Sequence, residues 1–281
     1  MSNFMTRTIA GAVFLAVMVF GIIWDRLIFT GLFLVILWFA LSEFYNISLK
    51  GSFRLQRKMG LVAAALAFLT VASIEFWPGM EASLANIAVS ALLGILLLVP
   101  VSCIFRQNEG DHGNLSYIYA GLLYIGLPIA LVPKLMMDGE VYDGWMLLSF
   151  FIIIWTSDVG AYCIGTALGQ KPDSKKLAPK ISPKKSWWGF WGAVALGTGA
   201  AVGLHFLTWL PFGLVHCIAV GIIISVGGVC GDLVESMWKR HFDVKDSGNA
   251  IPGHGGMLDR FDSSLVAIPL ACVYLSLFGL I

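Results

Sequence analysis

Residues 145–169 read WMLLSFFIIIWTSDVGAYCIGTALG, a run without Lys or Arg whose only charge is Asp158. At about 1.5 Å per residue, a helix of this length crosses roughly 30 Å of hydrocarbon. Comparable apolar stretches lie on both sides, and together the expected spans are 8–24, 27–42, 59–77, 82–105, 115–137, 145–169, 187–210, 212–237 and 264–281. Of the 281 residues, 58% are hydrophobic and 12% charged, against about 25% charged in an ordinary soluble domain. That deficit excludes a soluble globular enzyme. The expected fold is all-α: a polytopic integral membrane protein with about nine transmembrane helices, divided into N-terminal membrane helices over 1–144 and C-terminal membrane helices with cytoplasmic loops over 145–281. The first run is read as a retained span rather than a removed signal peptide, because only Arg7 precedes it and no convincing small-residue cleavage site follows.

Charge placement sets the orientation. Of the 18 Lys and Arg residues, all but Arg26 and Lys134 fall on one side if the spans alternate from a cytoplasmic N-terminus, while Asp25, Glu81, Asp138, Glu140 and Asp143 fall on the other. An outside C-terminus follows from nine spans. The formal net charge of +1 implies no nucleic-acid partner. Five cysteines, Cys103, Cys163, Cys217, Cys230 and Cys272, form no CxxC pair and read as small hydrophobes in helices.

Polarity gathers in three places on the cytoplasmic side. Asp158 sits inside its span, where an unpaired carboxylate costs roughly 2.5 kcal/mol or more. Such a residue usually faces a partner or a watery cavity; a structural hydrogen bond between helices is the alternative. The second place is the loop from Lys171 to Ser186. Its lysines Lys171, Lys175, Lys176 and Lys180 read as contacts to anionic headgroups, whereas Ser182, Lys184, Lys185 and Ser186 bunch at the start of the next span and suit phosphate.

The third and densest region runs from Gly231 to Ser263. At helical spacing Asp232, Glu235, Ser236 and Lys239 share one face. Beyond them Gly253, Gly255 and Gly256 allow a tight backbone that offers amides to an anion, and Asp259 with Asp262 can share a hard cation. Carboxylates, cations and a glycine-rich loop together suggest phosphate plus Mg²⁺ rather than zinc, since His254 is the only histidine among these groups and no cysteine joins them. For His254 a phosphate or structural role is favoured over general catalysis.

The stretch Ser236-x-x-Lys239-Arg240-x4-Lys245-Asp246-x-Gly248-x3-Pro252-x-His254-Gly255-Gly256-x2-Asp259-Arg260-x-Asp262 closely resembles the signature of the phosphatidate cytidylyltransferase (CDP-diacylglycerol synthase) family. The resemblance extends to Ser157-Asp158-x-Gly160-Ala161-Tyr162 and to Leu177-Ala178-Pro179-Lys180-x-Ser182-Pro183-Lys184-Lys185-Ser186-Trp187, and so covers the C-terminal half. It implies the reaction of CTP with phosphatidate to give CDP-diacylglycerol and pyrophosphate, on the cytoplasmic face of a bacterial inner membrane, with Mg²⁺ and room for a second cation, in a homodimer. On this reading Asp232, Asp259 and Asp262 hold the metal, with Asp158 as a further ligand or neighbour. Lys239, Arg240, Lys245 and Arg260 neutralise phosphates, and Lys184 with Lys185 closes the site from the opposite loop. Asp246 and His254 complete the catalytic set, while Ser182, Ser186, Ser236, Gly253, Gly255 and Gly256 contact substrate. Two rivals remain at this stage: a CTP-dependent enzyme acting on another lipid, such as a lipid-alcohol kinase, and a secondary transporter, for which intramembrane Asp158 and Gly-interrupted helices would also be expected.

Overall fold

Asp25 divides the first apolar stretch: its carboxylate accepts from Leu27 N at 2.7 Å, capping α2 (Arg26–Leu49) just after α1 (Asn3–Ile23) ends. These elements belong to a computed structural model that describes residues 3–77, 82–104, 112–251, 253 and 255–281. Helix α2 runs well past residue 42, where the hydropathy reading ended it. Nothing between Ser42 and Leu49 breaks a helix. Termination comes instead at Lys50 and Gly51, both left-handed with φ of 45° and 82°. The expected loop 43–58 is therefore only residues 50–53 before α3 (Arg54–Phe76) begins.

Helix α4 (Ala82–Ile104) follows, then a segmented span: α5 (Ser116–Gly121), a π-turn over Leu122–Gly126, α6 (Leu127–Leu131) and a 3-10 turn over Val132–Leu135. Pro128 and Pro133 account for the segmentation, because neither can donate to the carbonyl one turn back. The short hairpin β1 (Met137–Asp138) and β2 (Val141–Tyr142) leads to α7 (Trp145–Ala167). The basic loop that follows is itself a hairpin, β3 (Lys176–Ala178) against β4 (Ser182–Ser186), with Lys176 opposite Ser186 and Ala178 opposite Ser182. Then come α8 (Trp187–Phe206), α9 (Leu214–His241), the single turn α10 (Leu258–Phe261) and α11 (Ser264–Leu277).

Among the described residues eight helical stretches are long and apolar enough to cross a membrane, and Thr8–Ile23 is a shorter apolar helix beside them. The chain is a nearly all-α polytopic membrane protein.

Two units divide the chain. One comprises Met1–Tyr142 with Asp246–Arg260, the other Asp143–Lys245 with Phe261–Ile281. In the first, Phe29, Phe33, Phe68 and Phe76 are buried together, with Phe29 and Phe76 edge to face at 5.8 Å. Tyr45 on α2 is buried and donates to Ile118 O at 2.9 Å, fixing α2 against α5. Residues 246–260 pack into this unit, although they follow α9 in sequence.

In the second unit the helices α7 and α8 approach at backbone distance. A Cβ on Gly192 would lie 2.7 Å from Gly160 O and 2.8 Å from Ile164 Cβ. Only glycine permits this crossing, the small-residue contact by which membrane helices pack when no hydrophobic effect drives them together. The contact lies close to Asp158 and so fixes the segment of α7 that carries it.

Candidate active site

In the second unit, four elements bring charge together. Helix α9 supplies Asp232, Glu235, Ser236 and Lys239 on one face, as their spacing requires. Lys239 Nζ lies 2.7 Å from Glu235 Oε2, and Ser236 Oγ donates to Asp232 Oδ1 at 3.2 Å. From the end of β4, Lys185 forms an ion pair with Asp232. Asp262, just before α11, accepts from Ser263 N at 2.7 Å, is in hydrogen-bonding contact with Glu235, and lies within electrostatic reach of Asp232 and of Asp158 on α7. Its carbonyl comes so close to α9 that a Cβ on Gly231 would collide with it.

Charge balance decides what this cluster can hold. Asp158, Asp232, Glu235 and Asp262 gather with Lys185 and Lys239, and Glu235 is 1% exposed. Carboxyl groups in hydrogen-bonding contact need a shared proton or a cation between them. Among the described residues no three His, Cys, Asp or Glu side chains form a ready-made metal cage. Carboxylates are donors for a hard cation such as Mg²⁺, which commonly takes one or two of them and completes its shell with water and substrate phosphates.

A second polar group lies in the first unit, in the loop 246–260. Asp259 Oδ2 accepts from Ser247 N at 2.9 Å and from Gly256 N at 2.8 Å, while Asp259 N donates to Ser247 Oγ at 3.3 Å. Ile251 pairs with Gly255, and Gly253 and Gly255 take φ of 76° and 87°, so the glycines are needed for the turn itself. The Gly256 amide, expected to face an anion, is given to Asp259. Arg260 is exposed at the end of this loop, and Lys245 and Asp246 are exposed where it begins. His254 lies outside the described residues.

The remaining candidates are placed as follows. Ser186 is buried and caps α8, its Oγ accepting from Gly189 N at 3.2 Å. Ser182 sits in the β3–β4 ladder, and Lys184 is exposed with its carbonyl accepting from Gln170 Nε2 at 2.9 Å. Arg240 is exposed in the last turn of α9. Lys176, read as a headgroup contact, instead donates to Gly169 O at 2.8 Å and Gln170 Oε1 at 3.2 Å, a cation at the C-terminal end of α7.

Sequence reasoning missed Glu43 altogether. It accepts from Ser247 Oγ, Met257 N and Leu258 N, each at 2.9 Å, and is 8% exposed. The hydropathy reading ends the span at residue 42, which places Glu43 in a loop, where a carboxylate draws no notice.

Asp158 is exposed on α7, two residues before Gly160. Asp158→Asn is expected to remove most activity while the protein still inserts and purifies folded. An amide satisfies a helix-to-helix hydrogen bond, so near-normal turnover in the Asn variant would return Asp158 to a structural role.

With this geometry described, comparison with known proteins is informative. A family model described as the cytidylyltransferase family matches residues 5–278. Proteins named phosphatidate cytidylyltransferase are similar along most of the chain. That of Bacillus subtilis (strain 168) is 32% identical over 275 residues, covering 97% of this chain and 98% of the relative. That of Staphylococcus aureus (strain COL) is 31% identical over 273 residues, covering 96% and 97%. That of Staphylococcus haemolyticus (strain JCSC1435) is 33% identical over 190 residues, covering 68% and 70%.

Proposed function

The chain belongs to the cytidylyltransferase family, and from that premise we propose that it transfers the cytidylyl group of CTP to phosphatidate. A phosphate oxygen of phosphatidate attacks the α-phosphorus of CTP, the bond from that phosphorus to the β-phosphate oxygen breaks, and pyrophosphate leaves with the electron pair. CDP-diacylglycerol is the other product. The phosphate monoester is already ionised near neutral pH, so no strong protein base is needed. What the protein must supply is in-line positioning and relief of repulsion between two polyanions.

The observation that carries this reading is the gathering of Asp158, Lys185, Asp232, Glu235, Lys239 and Asp262 in one cluster of an otherwise apolar chain. Lys185 and Lys239 are the cations available there for phosphate oxygens, with Ser236 and Asp232 orienting Lys185. Asp232 and Asp262 are the residues we assign to Mg²⁺, with Asp158 beside them; Asp259 is assigned to the ion on the family resemblance alone. When bound, the ion neutralises triphosphate charge and polarises the phosphoryl oxygens. Arg240 and Lys245 extend the cations for the triphosphate or the lipid phosphate, and Arg260 is assigned the same role on the family resemblance alone. The diacyl tails stay in the bilayer beside the apolar helices.

Incubating purified protein in detergent with labelled CTP, phosphatidate and Mg²⁺ tests the reading. CDP-linked lipid with pyrophosphate is the expected result. CDP with a phosphorylated lipid would make the protein a lipid kinase, and substrate flux in liposomes without chemistry would make it a transporter.

The cytoplasmic face of a bacterial inner membrane is the location we propose for the site, on the strength of the one-sided cations. In a cysteine-free variant, Ser52→Cys and Lys180→Cys are expected to resist impermeant thiol reagents in intact cells, while Glu140→Cys labels. Labelling of Lys180→Cys from outside would overturn the orientation. A homodimer is the proposed assembly; on α7, Val159 is 56% and Tyr162 72% exposed beside Asp158, a surface for lipid or a second copy.

A further inference from the structure

Glu43 lies two turns from the end of α2, in the half of the chain to which no part of the chemistry has been assigned. A carboxylate buried in a membrane helix is costly, by several kcal/mol unless its oxygens are fully hydrogen-bonded. Glu43 meets that condition with donors from a single segment. Oε1 accepts from Met257 N, and Oε2 accepts from Leu258 N and Ser247 Oγ. These donors sit at the two ends of the glycine loop, so one side chain clamps the loop shut across its base.

The loop is also shaped around that carboxylate. A Cβ on Gly248 would lie 2.5 Å from Glu43 Oε1 and 2.8 Å from its Cδ, and a Cβ on Gly256 would collide with Oε2 and with Ser247 Oγ. Asp259 stitches the same base from inside the loop through the amides of Ser247 and Gly256. The helix that carries the clamp is itself tied to α5, since Tyr45, two residues on, donates to Ile118 O. On the reading that this chain is a cytidylyltransferase, the loop holds Asp259 and Arg260 of the family signature, and its conformation is set from α2.

We propose that Glu43 is a positioning residue for cytidylyl transfer: it touches no substrate and acts by fixing the glycine loop 246–260. Glu43→Gln keeps the size but replaces one acceptor oxygen with a donor facing loop N–H or O–H groups. Amide exchange in 246–258 is then expected to accelerate, with exchange in α3, α7 and α9 unchanged. The value of kcat is expected to fall roughly a hundredfold, the cost typical of a small misplacement at a reacting centre, with a smaller change in KM for CTP. Ser247→Ala removes one of the three donors to Glu43, together with the acceptor of Asp259 N, and is expected to shift both readouts in the same direction by less, which keeps the test open if the Gln variant does not accumulate.

Unchanged loop exchange in both variants would overturn the proposal. So would turnover within twofold of wild type despite a loosened loop, or faster exchange throughout the first unit, which would make Glu43 a general stabiliser. Exchange is measured without substrate. A wild-type protein that forms no CDP-linked lipid would therefore remove the functional reading while leaving the clamp tested separately.

Discussion

Asp232→Asn is expected to lower CDP-diacylglycerol formation by roughly a hundred- to a thousandfold in a protein that still inserts and purifies. The magnitude is that of losing one fixed electrostatic contact to the developing charge of a transition state. Asp232 has two roles in the cluster. It pairs with Lys185 and accepts from Ser236 Oγ, and with Asp262 it supplies the carboxylate pair assigned to Mg²⁺. Asn preserves the size and can still accept from Ser236. It leaves the Lys185 ammonium without its counter-charge and removes a charge that a hard cation needs. Turnover measured across a Mg²⁺ series, with a thermal unfolding curve for each protein, separates loss of chemistry from loss of fold. Activity within tenfold of wild type at every Mg²⁺ concentration would remove Asp232 from the site.

Asp259→Asn is expected to reduce the rate by orders of magnitude as well, and the geometry sharpens what that result means. Asp259 Oδ2 takes two backbone amides of the glycine loop. An Asn carbonyl oxygen can accept the same two bonds, so a residue that only staples the loop should tolerate the change with a modest loss, whereas a residue that also carries charge for the metal should not. Lys171→Ala, at an exposed position outside the cluster, is expected to change turnover little. The discriminating measurement is the Mg²⁺ dependence of CDP-diacylglycerol formation in both variants. Wild-type activity and an unchanged Mg²⁺ requirement in Asp259→Asn would confine that residue to the loop and leave the ion to Asp232, Asp262 and Asp158.

What could be read from the sequence was what is local. Apolar runs marked the spans because the bilayer fixes their length, and the i, i+3, i+4, i+7 spacing of Asp232, Glu235, Ser236 and Lys239 placed them on one face because a helix has one period. Helix ends were harder: hydropathy falls at Ser42-Glu43 while the hydrogen-bonded helix continues to the left-handed pair at Lys50 and Gly51. The basic loop read as a lipid contact, since charge says nothing of pairing; there β3 and β4 form a hairpin and Lys176 reaches the end of α7. Ser186 carries a hydroxyl suited equally to phosphate and to a helix cap, and only the position of Gly189 N distinguishes the two. Least legible was Glu43, whose partners lie 204 to 215 residues away. No periodicity connects them.

That separation also bears on how the protein is made. Synthesised from the N-terminus, α2 is complete long before Ser247, Met257 and Leu258 exist. At about 5–20 residues per second, Glu43 waits roughly ten to forty seconds for its donors. During that interval its carboxylate must be kept near the headgroups or in water, because the half-built first unit offers it none of those partners. The unit is closed only by a segment that emerges after α7, α8 and α9. A chain stopped before residue 247 would hold its early helices with the Glu43 carboxylate lacking all three of these donors.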